Sequence, residues 1–137
     1  REHIRFSKCH NLIVKSDFKC STFTEILIKM IHYSTFEKLD LRVGTILNAE
    51  DFPKAKKPAY KLEIDFGPLG ILHSSAQITQ RYTLEALKGK QIIAVVNIGT
   101  RKIADFESQC LVLGASENDE VILLAPESDV PNGQQIL

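Results

Sequence analysis

Between the third and fourth of a series of β-like runs, the chain carries one short helical pattern, Thr83-Leu84-Glu85-Ala86-Leu87-Lys88-Gly89. Thr83 is placed to cap it, Glu85 suits the positive N-terminal end of the helix dipole, Lys88 suits the negative end, and Gly89 stops it. Leu84 and Leu87 lie three residues apart and share an edge that could plug the end of a barrel. A helix at that place among five to six short strands specifies an all-β OB-type Greek-key barrel with one short helix. A generic β-sandwich needs more strands than 137 residues of this pattern supply.

The strands follow from periodicity. Tyr60, Leu62, Ile64 and Phe66 alternate with Lys61, Glu63 and Asp65, so one face is core and the other solvent. Leu41 to Ala49 places Leu41, Val43, Thr45 and Leu47 on one face and Arg42, Gly44, Ile46 and Asn48 on the other, with Gly44 marking a bulge or sharp coil. The loop from Asp51 to Pro58 holds two prolines and three lysines. Gly67-Pro68-Leu69-Gly70 turns the chain into a third strand, Ile71 to about Ser75. Gln91–Ile98, Gln109–Gly114 and Glu120–Ala125 read as the fourth to sixth strands. Thr35–Asp40 reads as a short helical turn with Thr35 able to cap, and Pro131-Asn132-Gly133 is a turn signal. The apolar end Ile136-Leu137 is expected to pack, a subunit interface being one candidate.

Charge is balanced overall, with 17 basic and 17 acidic residues, but unevenly placed. Residues 1–29 hold six basic and three acidic groups, leaving eleven and fourteen for the remainder. A nucleic acid bound by that remainder has to meet a local basic patch. Residues 1–33 read as an N-terminal extension of uncertain origin and 34–137 as the OB-fold domain. The only methionine is Met30, so two readings stand: Met30 is the native start, or the preceding segment is a genuine basic extension with an amphipathic stretch from Phe23 to Ile31. Cys9, Cys20 and Cys110 form no zinc-ligand spacing, and their odd number favours a reducing compartment, with Cys110 a small core residue. No run approaches the length that spans a bilayer, so membrane insertion is not expected and the cytoplasm is the default. His73 and Ser74 are adjacent on a strand and point to opposite faces, and no phosphate-cradling glycine loop appears. Neither an enzyme nor a metal site nor a cofactor is expected.

Ser74-Ser75-Ala76-Gln77-Ile78-Thr79, taken with Asp40-Leu41-Arg42-Val43-Gly44-Thr45-Ile46 and Ala94-Val95-Val96-Asn97-Ile98, resembles the tRNA-binding-domain family in its CsaA-like branch. Members of that branch are small export-related chaperones, and the same domain is appended to some methionyl- and phenylalanyl-tRNA synthetases. The resemblance covers roughly residues 34–137, including Val130-Pro131-Asn132-Gly133, and Phe106–Gly114 sides with the CsaA branch. It implies an OB fold, a homodimer, and binding without catalysis, with two ligand classes: unfolded or pre-export polypeptides, and tRNA. A dedicated tRNA-binding module without chaperone activity is the alternative. Two departures stand out. Gly99-Thr100 replaces prolines before Arg101-Lys102, and Asp105 replaces a usual glycine. Asp105 is expected to take a positive φ and to weaken an RNA surface beside Arg101 and Lys102.

For RNA, the surface needs cations spaced along phosphates and polar groups for unpaired bases. The candidates are Arg42, Lys54, Lys56, Lys57, Arg81, Arg101 and Lys102 as cations, with Ser75, Gln77 and Asn97 as hydrogen-bonding groups. Arg101-Lys102 has the strongest claim, because the family motif passes through it. For polypeptide, Ile46, Phe52 and Phe106 are the candidate pocket-lining residues, with Tyr60 assigned to the core by its strand phase.

Overall fold

The alternation at Tyr60–Phe66 builds the wall around which the chain folds. In the computed structural model, which describes residues 29–137, strand β2 (Tyr60–Asp65) turns Tyr60, Leu62 and Ile64 fully inward. Phe66, just beyond it, is also completely buried. Strand β1 (Leu41–Asp51) pairs antiparallel with β2, and β2 pairs antiparallel with β3 (Ile71–Ala76). β1 is long enough to serve two neighbours: Thr45 to Asp51 faces β2, while Leu41 to Thr45 faces β4 (Gln91–Val95). The sheet order is β3-β2-β1-β4-β7, with β7 the short Leu111–Val112.

These five strands make a nearly closed barrel of OB type. The closing seam between β3 and the 108–110 segment is not a regular ladder. Gln109 N–H donates to the His73 carbonyl at 2.7 Å, the buried Ser74 hydroxyl donates to the Cys110 carbonyl at 2.9 Å, and Ser75 N–H donates to Ser108 Oγ at 3.2 Å. Ser74 is thus a core polar group whose hydroxyl closes the barrel, satisfied as burial requires. Ile46, Leu62, Ile64, Phe66, Ile78, Leu87, Ile92, Ala94, Cys110 and Leu123 fill the interior. Burial pushes the Cys110 thiol up to about 12, with the Ser74 hydrogen bond opposing that rise, so this cysteine is inert packing.

Helix α2 (Leu84–Leu87; α1 is described below) starts at Thr83, whose hydroxyl accepts from Ala86 N–H at 3.1 Å. Leu87 is wholly buried, and the exit is tied to β1 by Gly89 N–H to the Ile46 carbonyl at 2.8 Å. The plug expected at a barrel end is in place. A further five-residue helix, α1 (Tyr33–Glu37), precedes β1, so the described residues hold two short α-helices where one was expected. Thr35 lies inside α1 and does not cap it. Expectations about Cys9, Cys20 and most of the Phe23–Ile31 stretch fall in residues 1–28, outside the described residues.

Three local expectations are corrected. The bulge of β1 lies between Ile46 and Asn48, not at Gly44. The phase change there turns Leu47 to solvent while Val43 stays inside. Gly44 is instead required by close packing: a Cβ there would sit 2.7 Å from both Ile64 Cγ2 and the Phe66 ring. The strand expected at Gln109–Gly114 is broken at Leu113, and the barrel keeps only β7 of it. The segment that turns at Asp105 is a hairpin, β5 (Arg101–Ile103) with β6 (Phe106–Ser108). Its left-handed residue is Ala104 at φ 56, so Asp105 escapes the strain assigned to it. A second hairpin, β8 (Gly114–Glu117) with β9 (Glu120–Leu123), turns through Asn118 and Asp119, both left-handed.

Candidate nucleic-acid interface

Two groups of the expected site residues separate in the structure. The first is bound up in holding the barrel. Arg42 pairs with Asp40 at 2.6 Å and donates to the Gly133 carbonyl at 2.9 Å. Its backbone bridges Gln135, and Gly133 N–H, Val43 N–H and Ile136 N–H continue the ladder between β1 and the C-terminal segment. Asn97 uses both ends of its amide: Oδ1 accepts from Asp40 N–H at 2.9 Å, and Nδ2 donates to the Lys38 carbonyl at 2.7 Å. Arg42 and Asn97 thus pin the lead-in and tail onto β1 and β4 through these bonds.

The second group gathers along one edge, where the 52–58 loop meets the β5–β6 hairpin. The Phe52 and Phe106 rings pack edge-on with centroids 5.4 Å apart. Lys61 on β2 lies over both, 4.9 Å from the first centroid and 5.4 Å from the second. Lys54 bonds Asp105 at 2.8 Å across the same junction. That contact raises the Lys54 ammonium pKa and lowers that of the Asp105 carboxyl, the hydrogen bond first and the charge attraction second. Asp105 thus neutralises Lys54 rather than Arg101 or Lys102, which corrects the expected neighbour. Arg101 and Lys102 stand exposed on β5, Lys102 opposite Glu107 in the ladder. Lys56 and Lys57 are exposed in the loop.

The loop also forms the wall of a groove of about 430 Å³ beside the β3–α2 connection. Lys57, Gln77 and Arg81, three of the expected RNA residues, line it together. Asp119 and Glu120 from the β8–β9 hairpin line it as well, with Glu120 reaching Arg81 at 3.4 Å. Ser75 stands on β3 beside Lys61, half-buried with its N–H used in the barrel seam.

The polypeptide candidates fare differently. Ile46 is fully buried in the core and Phe52 is 3% exposed, so neither presents an open surface. Phe52 sits in a loop, and its burial under Lys61 depends on packing across elements far apart in sequence. Phe106 is half-buried against Phe52 and His73. Sequence reasoning missed Lys61, read as a solvent position of β2, and the groove carboxylates Asp119 and Glu120. Strand phase did signal that Lys61 leaves the core face. Only the Lys61–Ser75 register and the approach of the hairpin give that face a role.

The class is defined by these features: an OB-fold domain without an assembled catalytic constellation on its described surface, presenting a basic, amide-rich edge next to a groove. Membership is more specific. The family model described as "Putative tRNA binding domain" matches residues 41–135, and the chain belongs to that family. The chaperone CsaA of Bacillus anthracis is 50% identical at a TM-score of 0.77, over 80% of this chain and 100% of its own. The CsaA chaperone protein of Picrophilus torridus is also 50% identical, at a TM-score of 0.75 over 79% and 100%. The methionine–tRNA ligase of Methanococcus aeolicus is 41% identical over 80% of this chain but only 16% of the enzyme. This chain thus spans about a sixth of the length of the curated synthetase relatives it matches, and covers only their appended binding domain. The CsaA-like reading of the motifs agrees with both solved structures.

Proposed function

We propose that this protein is a tRNA-binding module that works without catalysis in the cytoplasm, along the edge formed by the 52–58 loop, the β5–β6 hairpin and the adjoining groove. The observation that carries this is convergence. Lys57, Gln77 and Arg81 line one groove, and the loop holding Lys57 is locked by Phe52–Phe106 and Lys54–Asp105 to the hairpin bearing Arg101 and Lys102. Cations held by a stiff scaffold follow phosphates at less entropic cost than solvated lysines. The family match to a tRNA binding domain supports the same ligand.

Holding of unfolded or pre-export polypeptide is the second reading, favoured by half-identity to two proteins named as chaperones. Its surface would be the exposed apolar residues Leu47, Ile71 and Leu111 rather than Ile46 or Phe52. Those residues, or the exposed Leu137, would equally serve a homodimer. A salt series separates the two ligands. Offered purified tRNA and an unfolded model polypeptide, the chain is expected to hold tRNA at low salt and release it steeply as salt rises. Polypeptide capture that persists in high salt, with no tRNA retained, would reverse the ranking.

A further inference from the structure

A groove that merely tracked phosphates would not carry two carboxylates. Asp119 and Glu120 line it together with Lys57, Arg81, Gln77, Gln80 and Thr79. The formal charge of the lining cancels, so its attraction for a bare phosphate is weak. Ionised carboxylates only accept hydrogen bonds and need donors on the ligand. Bases offer amino and imino N–H groups, and ribose offers its 2′-hydroxyl, the group that marks RNA. In a helix, base-pairing N–H groups are already engaged, so the carboxylates favour a nucleotide that is unpaired. The volume of about 430 Å³ lies within the range of small-ligand sites.

The turn supports a purpose for Asp119. Asn118 and Asp119 take φ values of 50° and 66° in a two-residue hairpin turn, a geometry whose preferred pair is Asn-Gly. An aspartate at the second position forgoes the freedom of glycine and places a carboxylate at the groove. Arg81, bonded to Glu120 at 3.4 Å, is held at the same rim, with its flat guanidinium able to pair a phosphate or stack on a base.

We infer that the groove between the β3–α2 connection and the β8–β9 hairpin is a subsite for one unpaired ribonucleotide, its base donors held by Asp119 and Glu120 and its phosphate by Lys57 and Arg81. This rests on the RNA reading above and adds the structural state of the RNA it selects. The test uses the full chain, labelled tRNA, and two competitors: a mixed-sequence single-stranded RNA of about six nucleotides and the same strand in a blunt duplex. The single strand is expected to displace tRNA about tenfold better than the duplex, strand for strand. Asp119→Gly suits the turn and should keep the fold, as a melting curve would verify. In that variant the preference for the single strand is expected to vanish. Simple electrostatics predicts the opposite sign, since removing an acid should tighten every RNA. Equal competition by strand and duplex in the unaltered chain would overturn the subsite while leaving tRNA binding intact. A preference that survives Asp119→Gly and Gln77→Ala would also overturn it. If labelled tRNA does not bind at all, the RNA reading itself fails, and the subsite with it.

Discussion

Two regions of this molecule are built from the same residue types and put them to different work. At the clamp where the C-terminal segment meets β1, Arg42 and Asn97 are hydrogen-bonded to partners in the fold: Asp40, the Gly133 carbonyl, and the backbone of Lys38 and Asp40. At the edge formed by the loop and the β5–β6 hairpin, Arg101, Lys102, Lys56 and Lys57 point to solvent from a scaffold stiffened by Phe52, Phe106 and Lys61. A cation whose hydrogen bonds are taken by the fold stabilises the fold, and a cation left exposed on a stiff support is available to a ligand. Residue type alone does not separate the two; the partner does.

Reversing both charges at the edge is the strongest way to break this contrast. Arg101→Glu with Lys102→Glu is expected to lower tRNA affinity about 100-fold at low salt and to flatten the dependence of log K on log salt by about two contacts. The melting temperature should fall only slightly, because both side chains are exposed and the one new like-charge pair, opposite Glu107, costs at most about 1 kcal/mol. Filter binding across a salt series beside a thermal melt reads both. Unchanged affinity would remove the edge from the RNA surface. The matching change at the clamp is Asn97→Ala, which leaves Asp40 N–H and the Lys38 carbonyl without their partners. It is expected to cost about 1–2 kcal/mol in denaturant unfolding. Affinity per folded molecule should not change, and a selective loss of RNA binding would return Asn97 to the interface.

The same contrast explains what could be read in advance. The core wall was legible because alternation at Tyr60, Leu62, Ile64 and Phe66 is a local signal that the buried face obeys. Helix α2 was legible because Thr83 and Gly89 punctuate it within one turn of its ends. The β1 bulge was not, because the residue that leaves the ladder is the apolar Leu47 and the glycine nearby answers to Phe66 from β2. Membership in the groove was legible only as residue types: Lys57, Gln77 and Arg81 were singled out, but nothing in their spacing brought Asp119 and Glu120 to the same groove. Pairing of Lys54 with Asp105 joins positions 51 residues apart. Such contacts depend on how two loops settle, which periodicity does not encode.

Loosening the support without touching a charge should produce a smaller, mixed effect. Phe106→Ala removes the ring that packs on Phe52, His73 and the Lys61 ammonium. The loss is expected to be about 1–2 kcal/mol of stability, below a full core truncation because Phe106 is only half-buried. Affinity for tRNA should fall several-fold, roughly three- to tenfold, as the hairpin carrying Arg101 and Lys102 becomes less ordered. Calorimetry of folding and binding on one preparation measures both. A drop in stability with no change in affinity would mean that the hairpin is positioned by its own ladder rather than by the aromatic contact.

The smallest effect expected is also the one that tests the contrast most directly, since it converts a paired cation into an exposed one. Asp105→Asn releases Lys54 at a junction where both groups are more than half exposed. An exposed pair contributes little to stability, so the melt should not move. Affinity for tRNA at low salt is expected to rise about two- to threefold, because one acid is lost and one lysine becomes free to meet a phosphate. The pH dependence follows the same logic. Asp105 has a lowered pKa, so its contribution to the pair is present above the ordinary carboxylate range and is lost as pH falls through that lowered value. Lys54 has a raised pKa, so its contribution is full below the ordinary lysine range and is lost as pH rises through the raised value. Between those limits the pair persists and Lys54 stays masked. The gain from Asp105→Asn should therefore be seen at neutral pH and shrink in acid, where the unaltered chain has already released its lysine. Equal affinities for the two proteins at neutral pH would mean that Lys54 lies off the RNA path, and the edge would then begin at Lys56.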